Sequence, residues 1–121
     1  MTSRTLVVKV TAGQDDLERC NQALTVAATA AASDVRVSLW LTGEASWFAL
    51  PGRTDDIALP HGMPFTQLLA TIMAAGTVTI CTQCAARRQI SEDDLISGVR
   101  MAGAATFVAE VLADEARALV Y

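Results

Sequence analysis

The chain alternates short continuous apolar runs with stretches in which apolar side chains recur every three or four positions. Thr5 to Val10 (T-L-V-V-K-V) is β-branched or aliphatic almost throughout, the pattern of a strand covered on both faces. Thr11-Ala12-Gly13 then turns the chain. Asp15 and Asp16 suit a first helical turn, where carboxylates meet unpaired N–H groups. Up to Ala32, Leu17, Cys20, Leu24, Ala27, Ala28 and Ala31 follow at helical spacing, while Glu18, Arg19, Gln22, Thr25 and Thr29 lie mostly elsewhere. Cys20, on the apolar side, reads as a small core hydrophobe. Val35 to Leu41 (V-R-V-S-L-W-L) alternates as a second strand, with Arg36 and Ser38 on a less buried face or near an end. Glu44 to Leu50 predicts a short helix whose Trp47 and Phe48 anchor the next loop or an interface. Pro51 to Pro64 is the longest irregular segment and contains the only histidine, His61.

The second half repeats the alternation. Pro64 suits a first helical position, Phe65, Leu68, Leu69, Ile72 and Met73 mark an apolar face, and Gly76 stops the helix. Val78 and Ile80 then define a short buried strand ending on Cys81. Ser91 with Asp94 matches a capping box before Leu95-Ile96, with Gly98 as terminator. Val99-Arg100-Met101 is a candidate short strand. Ala104, Phe107, Val108, Val111 and Leu112 outline a last amphipathic helix, and Ala116 to Tyr121 a closing strand. Strand and helix in alternation predict an α/β fold with a mostly parallel five-stranded sheet and helices on both faces. The loops after successive strands then share one edge, which gathers Gly13, Thr42-Gly43, Cys81 and Gly103 beside the Glu44–Phe48 segment.

Composition narrows the classes. A chain of 121 residues predicts a single domain over 1–121, large enough for a core without staples. Hydrophobic residues make up 52% and charged ones 18%, an apolar excess rich in alanine that suits close-packed helices and surface buried in an oligomer. Formal charge is −4 and the cations are scattered from Arg4 to Arg117, so nucleic-acid binding is not expected. The first apolar run is too short for a signal peptide and is interrupted by Lys9. No stretch approaches the ~20 apolar residues of a membrane span. Three cysteines, odd and sparse, suit a reducing cytoplasm rather than a disulfide framework.

Reactive chemistry concentrates at Cys81 and Cys84. A thiol at the carboxyl end of a strand, with a helical turn just beyond, sits where open α/β sheets place binding sites. Free N–H groups there favour an anion and stabilise a thiolate. Arg87 and Arg88, one turn on, add positive charge. The spacing alone leaves three readings open. A structural zinc site needs four ligands, and only Cys20 and His61 stand beyond the pair, so no metal or other cofactor is expected. Dithiol exchange is a second reading. Two thiols that merely fill space beside the sheet are the third.

A strand ending in cysteine, an arginine-rich turn, then I-S-x-x-x-L-I-x-G-V and a final A-D-x-x-x-x-L-x-aromatic resemble the DsrE/DsrF family, including its TusD and YchN-type branches. The residues are Cys81, Cys84, Arg87, Arg88, Ile90, Ser91, Leu95, Ile96, Gly98, Val99 and Gly103, then Ala113, Asp114, Leu119 and Tyr121. The opening strand and its Gly13 turn also match, so the resemblance spans nearly the whole chain. It implies a three-layer α/β/α (DsrEFH-like) fold, assembly as a homotrimer or homohexamer, and sulfur carried as a cysteine persulfide between donor and acceptor proteins. Cys81 matches the sulfur-carrying cysteine of the TusD branch, and Cys84 the C-x-x-C variant of YchN-like members. Gln89 stands where the family usually has glycine, which bears on the backbone there because glycine adopts positive φ without cost. The resulting expectation is a cytoplasmic sulfur-transferring protein. Cys81 accepts the sulfur, Cys84 assists, and Arg87 and Arg88 orient anionic sulfur or a partner. A non-catalytic oligomeric binding module and a Cys81/Cys84 redox protein are the rivals.

Overall fold

The computed structural model describes residues 4–121; residues 1–3, part of the single domain expected over 1–121, lie outside the described residues. Among the described residues five strands occur: β1 (Thr5–Val10), β2 (Arg36–Leu41), β3 (Thr77–Cys81), β4 (Arg100–Ala102) and β5 (Ala116–Val120). They form one sheet in the order β4-β3-β2-β1-β5, with all four pairings parallel. The helices are α1 (Leu17–Ala32), α2 (Phe65–Ala75), α3 (Thr82–Arg87) and α4 (Ala104–Val111).

Side-chain alternation divides the sheet into two unlike faces. Val8, Val10, Val37, Leu39, Leu41, Val78 and Ile80 point to one face. There they form the main core with Cys20, Leu24, Ala27 and Ala31 of α1 and Leu68, Leu69 and Ile72 of α2. Alanines on α1 let it lie close to α2 and the sheet. Ser38 and Trp40 point the other way and meet α4: Ser38 donates to Glu110 at 2.6 Å, and Trp40 stands edge-on to Phe107 with centroids 5.3 Å apart. Helices thus cover both faces, and the layers are α/β/α.

Local differences from expectation have physical causes. Asp16 caps α1, its carboxylate accepting the N–H of Arg19 at 3.1 Å. The segment expected as a short helix is a 3-10 helix, Gly43–Ala49, with Ala45, Ser46, Phe48 and Ala49 buried. Pro64 caps α2 rather than lying inside its first turn. Ser38 is buried rather than facing solvent, because its hydroxyl has a carboxylate partner on α4. The Ser91–Asp94 capping box is present, though it opens only a single 3-10 turn, Glu92–Asp94. Gln89 keeps the backbone that glycine would allow, at φ 56°. No residue of α4 is buried, and Val108, Leu112 and Val120 leave an apolar surface on that side.

Candidate functional site

Cys81 is the last residue of β3 and caps α3 at once, so its thiol lies at the carboxyl edge of the sheet. The register explains its neighbours. Lys9 pairs with Trp40 and Trp40 with Thr79; Cys81, two residues on, therefore shares their face. These side chains open on a cavity of about 250 Å³. Cys81, Cys84 and Gln83 form one side of it, Thr42 and Gly43 another, and Lys9, Trp40, Phe107 and Ala104 the rest. Lys9 Nζ lies over the Phe107 ring, 5.3 Å from its centroid.

Cys81 is half-buried and free. Partial burial opposes its ionisation. The N–H of Cys84, the Cys84 thiol, the N–H of Gln83 and the Lys9 ammonium together outweigh that, and its pKa falls below the ordinary value of 9.0. The two thiols lie close together on one side of the cavity. Cys84 is buried, and its sulfur accepts the N–H of Gly43 at 3.2 Å. Cys20 is different in kind: fully enclosed under α1, its pKa is pushed up to about 12 by burial, then by Asp15 and Asp16.

Glycines bring the surrounding loops together. A Cβ on Gly13 would collide with the backbone carbonyl of Glu44, so only glycine lets the turn after β1 meet the 3-10 helix. Gly43 has φ +53°, and a Cβ there would stand 2.6 Å from the Thr11 carbonyl oxygen. Gly103 also belongs to this edge, facing Thr82. Gly13 therefore shapes the wall behind the thiols and does not line the cavity itself.

The two arginines are placed apart from the cavity. Arg88 donates through Nε and Nη2 to Glu44 Oε2, at 3.1 and 2.8 Å, and through Nη1 to the Cys84 carbonyl at 3.1 Å. It clamps α3 to the 3-10 helix. Arg87 is exposed at the end of α3. His61 is also exposed and borders separate grooves with Asn21 and Gly62. Among the described residues no group of three or more His, Cys, Asp or Glu could hold a metal ion, and no helix is long and apolar enough to cross a membrane.

Lys9, Trp40 and Phe107 are the site residues that sequence reading did not single out. Lys9 had a signal, being a charge in the middle of an otherwise apolar strand. Trp40 and Phe107 read as core.

Comparison with known proteins agrees with the geometry. The model of the DsrE/DsrF-like family matches residues 5–120. The crystal structure of the ychN protein from E. coli superposes with a TM-score of 0.78 at 22% identity, covering 99% of this chain and 100% of that one. MTH1491 from Methanobacterium thermoautotrophicum, described as a protein of unknown function, superposes with a TM-score of 0.71 at 11% identity, with 99% and 100% coverage. At these identities the likeness is one of fold. No curated protein matches the sequence. A parallel five-stranded α/β sheet and a family match from β1 to β5 lead to one assignment: the chain belongs to the DsrE/DsrF-like family.

Proposed function

We propose that this protein carries sulfur, with Cys81 as the acceptor. The observation that carries the reading is a half-exposed thiol with depressed pKa opening on a small cavity. An ordinary thiol is thiolate to only roughly a few per cent at neutral pH, and a lowered pKa raises the fraction able to attack. In the loading step the Cys81 thiolate attacks the outer sulfur of a donor persulfide. A new S–S bond forms on Cys81 as the donor's S–S bond breaks, and the donor leaves as a thiolate. Unloading is the same exchange with an acceptor thiolate, so no net oxidant is required. Arg88 serves as a positioning residue by fixing α3, and exposed Arg87 is available to a partner protein.

Self-association fits this reading. The apolar surface at Val108, Leu112 and Val120 is the face a second copy would cover in a trimer or hexamer. The reducing cytoplasm is the compartment that keeps such thiols free.

The test is incubation with inorganic polysulfide followed by intact-mass measurement. The wild type should gain one or more sulfur atoms that dithiothreitol removes, and Cys81→Ser should gain none. Equal uptake by Cys81→Ser defeats the proposal. A second reading, reversible dithiol–disulfide chemistry, is favoured by the closeness of Cys81 and Cys84 on one side of the cavity. It predicts a disulfide that forms readily without added sulfur and reduces protein disulfides when opened.

A further inference from the structure

Among the described residues the cavity beside Cys81 is lined by one cationic side chain and no carboxylate. Lys9 is its only charged lining residue, and among the described residues Lys9 has no carboxylate partner. Its ammonium rests on the face of Phe107 instead, half-buried in a wall that is otherwise Trp40 and Ala104. Glu110, on the same face of the sheet, does not line the cavity. Its carboxylate accepts from Ser38 at 2.6 Å and from Trp40 Nε1 at 3.0 Å, and pairs with Arg100. The only anion that the described lining offers this ammonium is the Cys81 thiolate itself, so an anionic group arriving at that thiolate meets a positive charge not held by any carboxylate. At about 250 Å³ the space lies below the usual range for drug-sized ligands and suits an anion of a few heavy atoms.

We infer that Lys9 binds the negative charge of the incoming sulfur species, so the cavity selects small anionic sulfur compounds, such as short polysulfide chains, over neutral disulfides. The substrate named here rests on the sulfur-carrier reading; the selectivity for anions does not. Lys9 and Cys81 share one sheet face, two strands apart with Trp40 on the strand between, and both line the cavity, so an anion that spans it meets the ammonium at one end and the thiol at the other. As the thiolate attacks and the donor's S–S bond breaks, negative charge moves from Cys81 to the departing group. Lys9 then stands beside whichever sulfur carries that charge.

The experiment compares two small alkylating reagents on Cys81 in a Cys20→Ala, Cys84→Ser background. One is the anionic iodoacetate and the other the neutral iodoacetamide, each used on the folded protein with Lys9, Lys9→Arg and Lys9→Met. Dividing the anionic rate by the neutral rate cancels any change in thiolate fraction. This ratio should fall about fivefold in Lys9→Met and be largely kept in Lys9→Arg, with added salt lowering it for Lys9. Lys9→Gln provides a second neutral variant should methionine disturb the sheet. An unchanged ratio in the neutral variants overturns the inference, whatever the individual rates do. Polysulfide loading is measured separately on the wild type. Absent loading with a Lys9-dependent ratio defeats the carrier reading and leaves anion selection standing, and normal loading with an unchanged ratio does the reverse.

Discussion

Glu110 is the one strong polar tie between α4 and the sheet, and removing it offers a quantitative test. Its carboxylate accepts from Ser38 Oγ and Trp40 Nε1, both on nearly buried residues, and pairs with Arg100, whose side chain is 42% exposed. A hydrogen bond to a charged group contributes about 1.5–3 kcal/mol, and an exposed ion pair about 0–1 kcal/mol. These contributions share one acceptor and do not add in full, so Glu110→Ala should cost about 3 kcal/mol. Glu110→Gln keeps an accepting oxygen and should cost roughly half that. Urea unfolding at one fixed protomer concentration measures both, because self-association would otherwise shift the midpoint.

A pH series adds a sign. Burial alone would raise the Glu110 pKa, but the bonds from Ser38, Trp40 and Arg100 lower it below the ordinary 4.5. A carboxylate lowered on folding stabilises the fold above its unfolded value, and the benefit is lost as pH falls through the folded value. The gap between wild type and Glu110→Gln should therefore close in acid. A loss under about 1 kcal/mol for Glu110→Ala, or a gap that persists in acid, refutes the picture of a charged anchor.

Four further outcomes are expected. Gln89→Gly should raise stability by about 0.5–1 kcal/mol: it relieves a left-handed residue costing roughly 1–2 kcal/mol, less the entropy glycine adds to the unfolded chain. Gly13→Ala should destabilise by about 2 kcal/mol or more in urea, since the added methyl meets the Glu44 carbonyl. Iodoacetamide alkylation followed by peptide mapping should give Cys81 a half-maximal rate below pH 9.0 and leave Cys20 unmodified until the chain unfolds. In Cys84→Ser, sulfur loaded on Cys81 should persist several-fold longer by mass spectrometry. With Cys84 present, its thiolate can attack the inner sulfur, closing a disulfide and expelling hydrosulfide.

The strands and main helices were legible because each has a local cause. The β-branched run of β1, the alanine stripe of α1 and the Gly76 stop act within a few residues of themselves. Cys81 was legible for the same reason, lying where a strand runs into a helical turn. What could not be read was pairing at a distance. Arg88 looks in sequence like a free cation beside the thiols, yet its partner Glu44 is 44 residues away, and the ion pair turns it inward as a clamp. Lys9 looks like an interruption of a strand. Its meaning depends on the register that sets it against Trp40, and on α4 laying Phe107 across it. At Gln89, sequence could not tell whether the backbone avoids a left-handed conformation or adopts it; at φ 56° it adopts it.

The Gly43–Ala49 arch touches nearly every part of the thiol edge. Gly13 abuts it, Gly43 contacts the Cys84 sulfur, Glu44 holds Arg88, Phe48 meets Phe65, and the Ala49 carbonyl receives the N–H of Ile96. Its partners come from distant parts of the chain, so it gains its full support only after most of the polypeptide has docked. Lys9 and the α3 amides likewise reach Cys81 only when the strands are in register. A nascent or partly denatured chain therefore lacks the groups that lower the Cys81 pKa, which come together only as the sheet and α3 form. Folding thus works in opposite senses on the thiols, enclosing Cys20 and Cys84 while it surrounds Cys81 with groups that favour its thiolate.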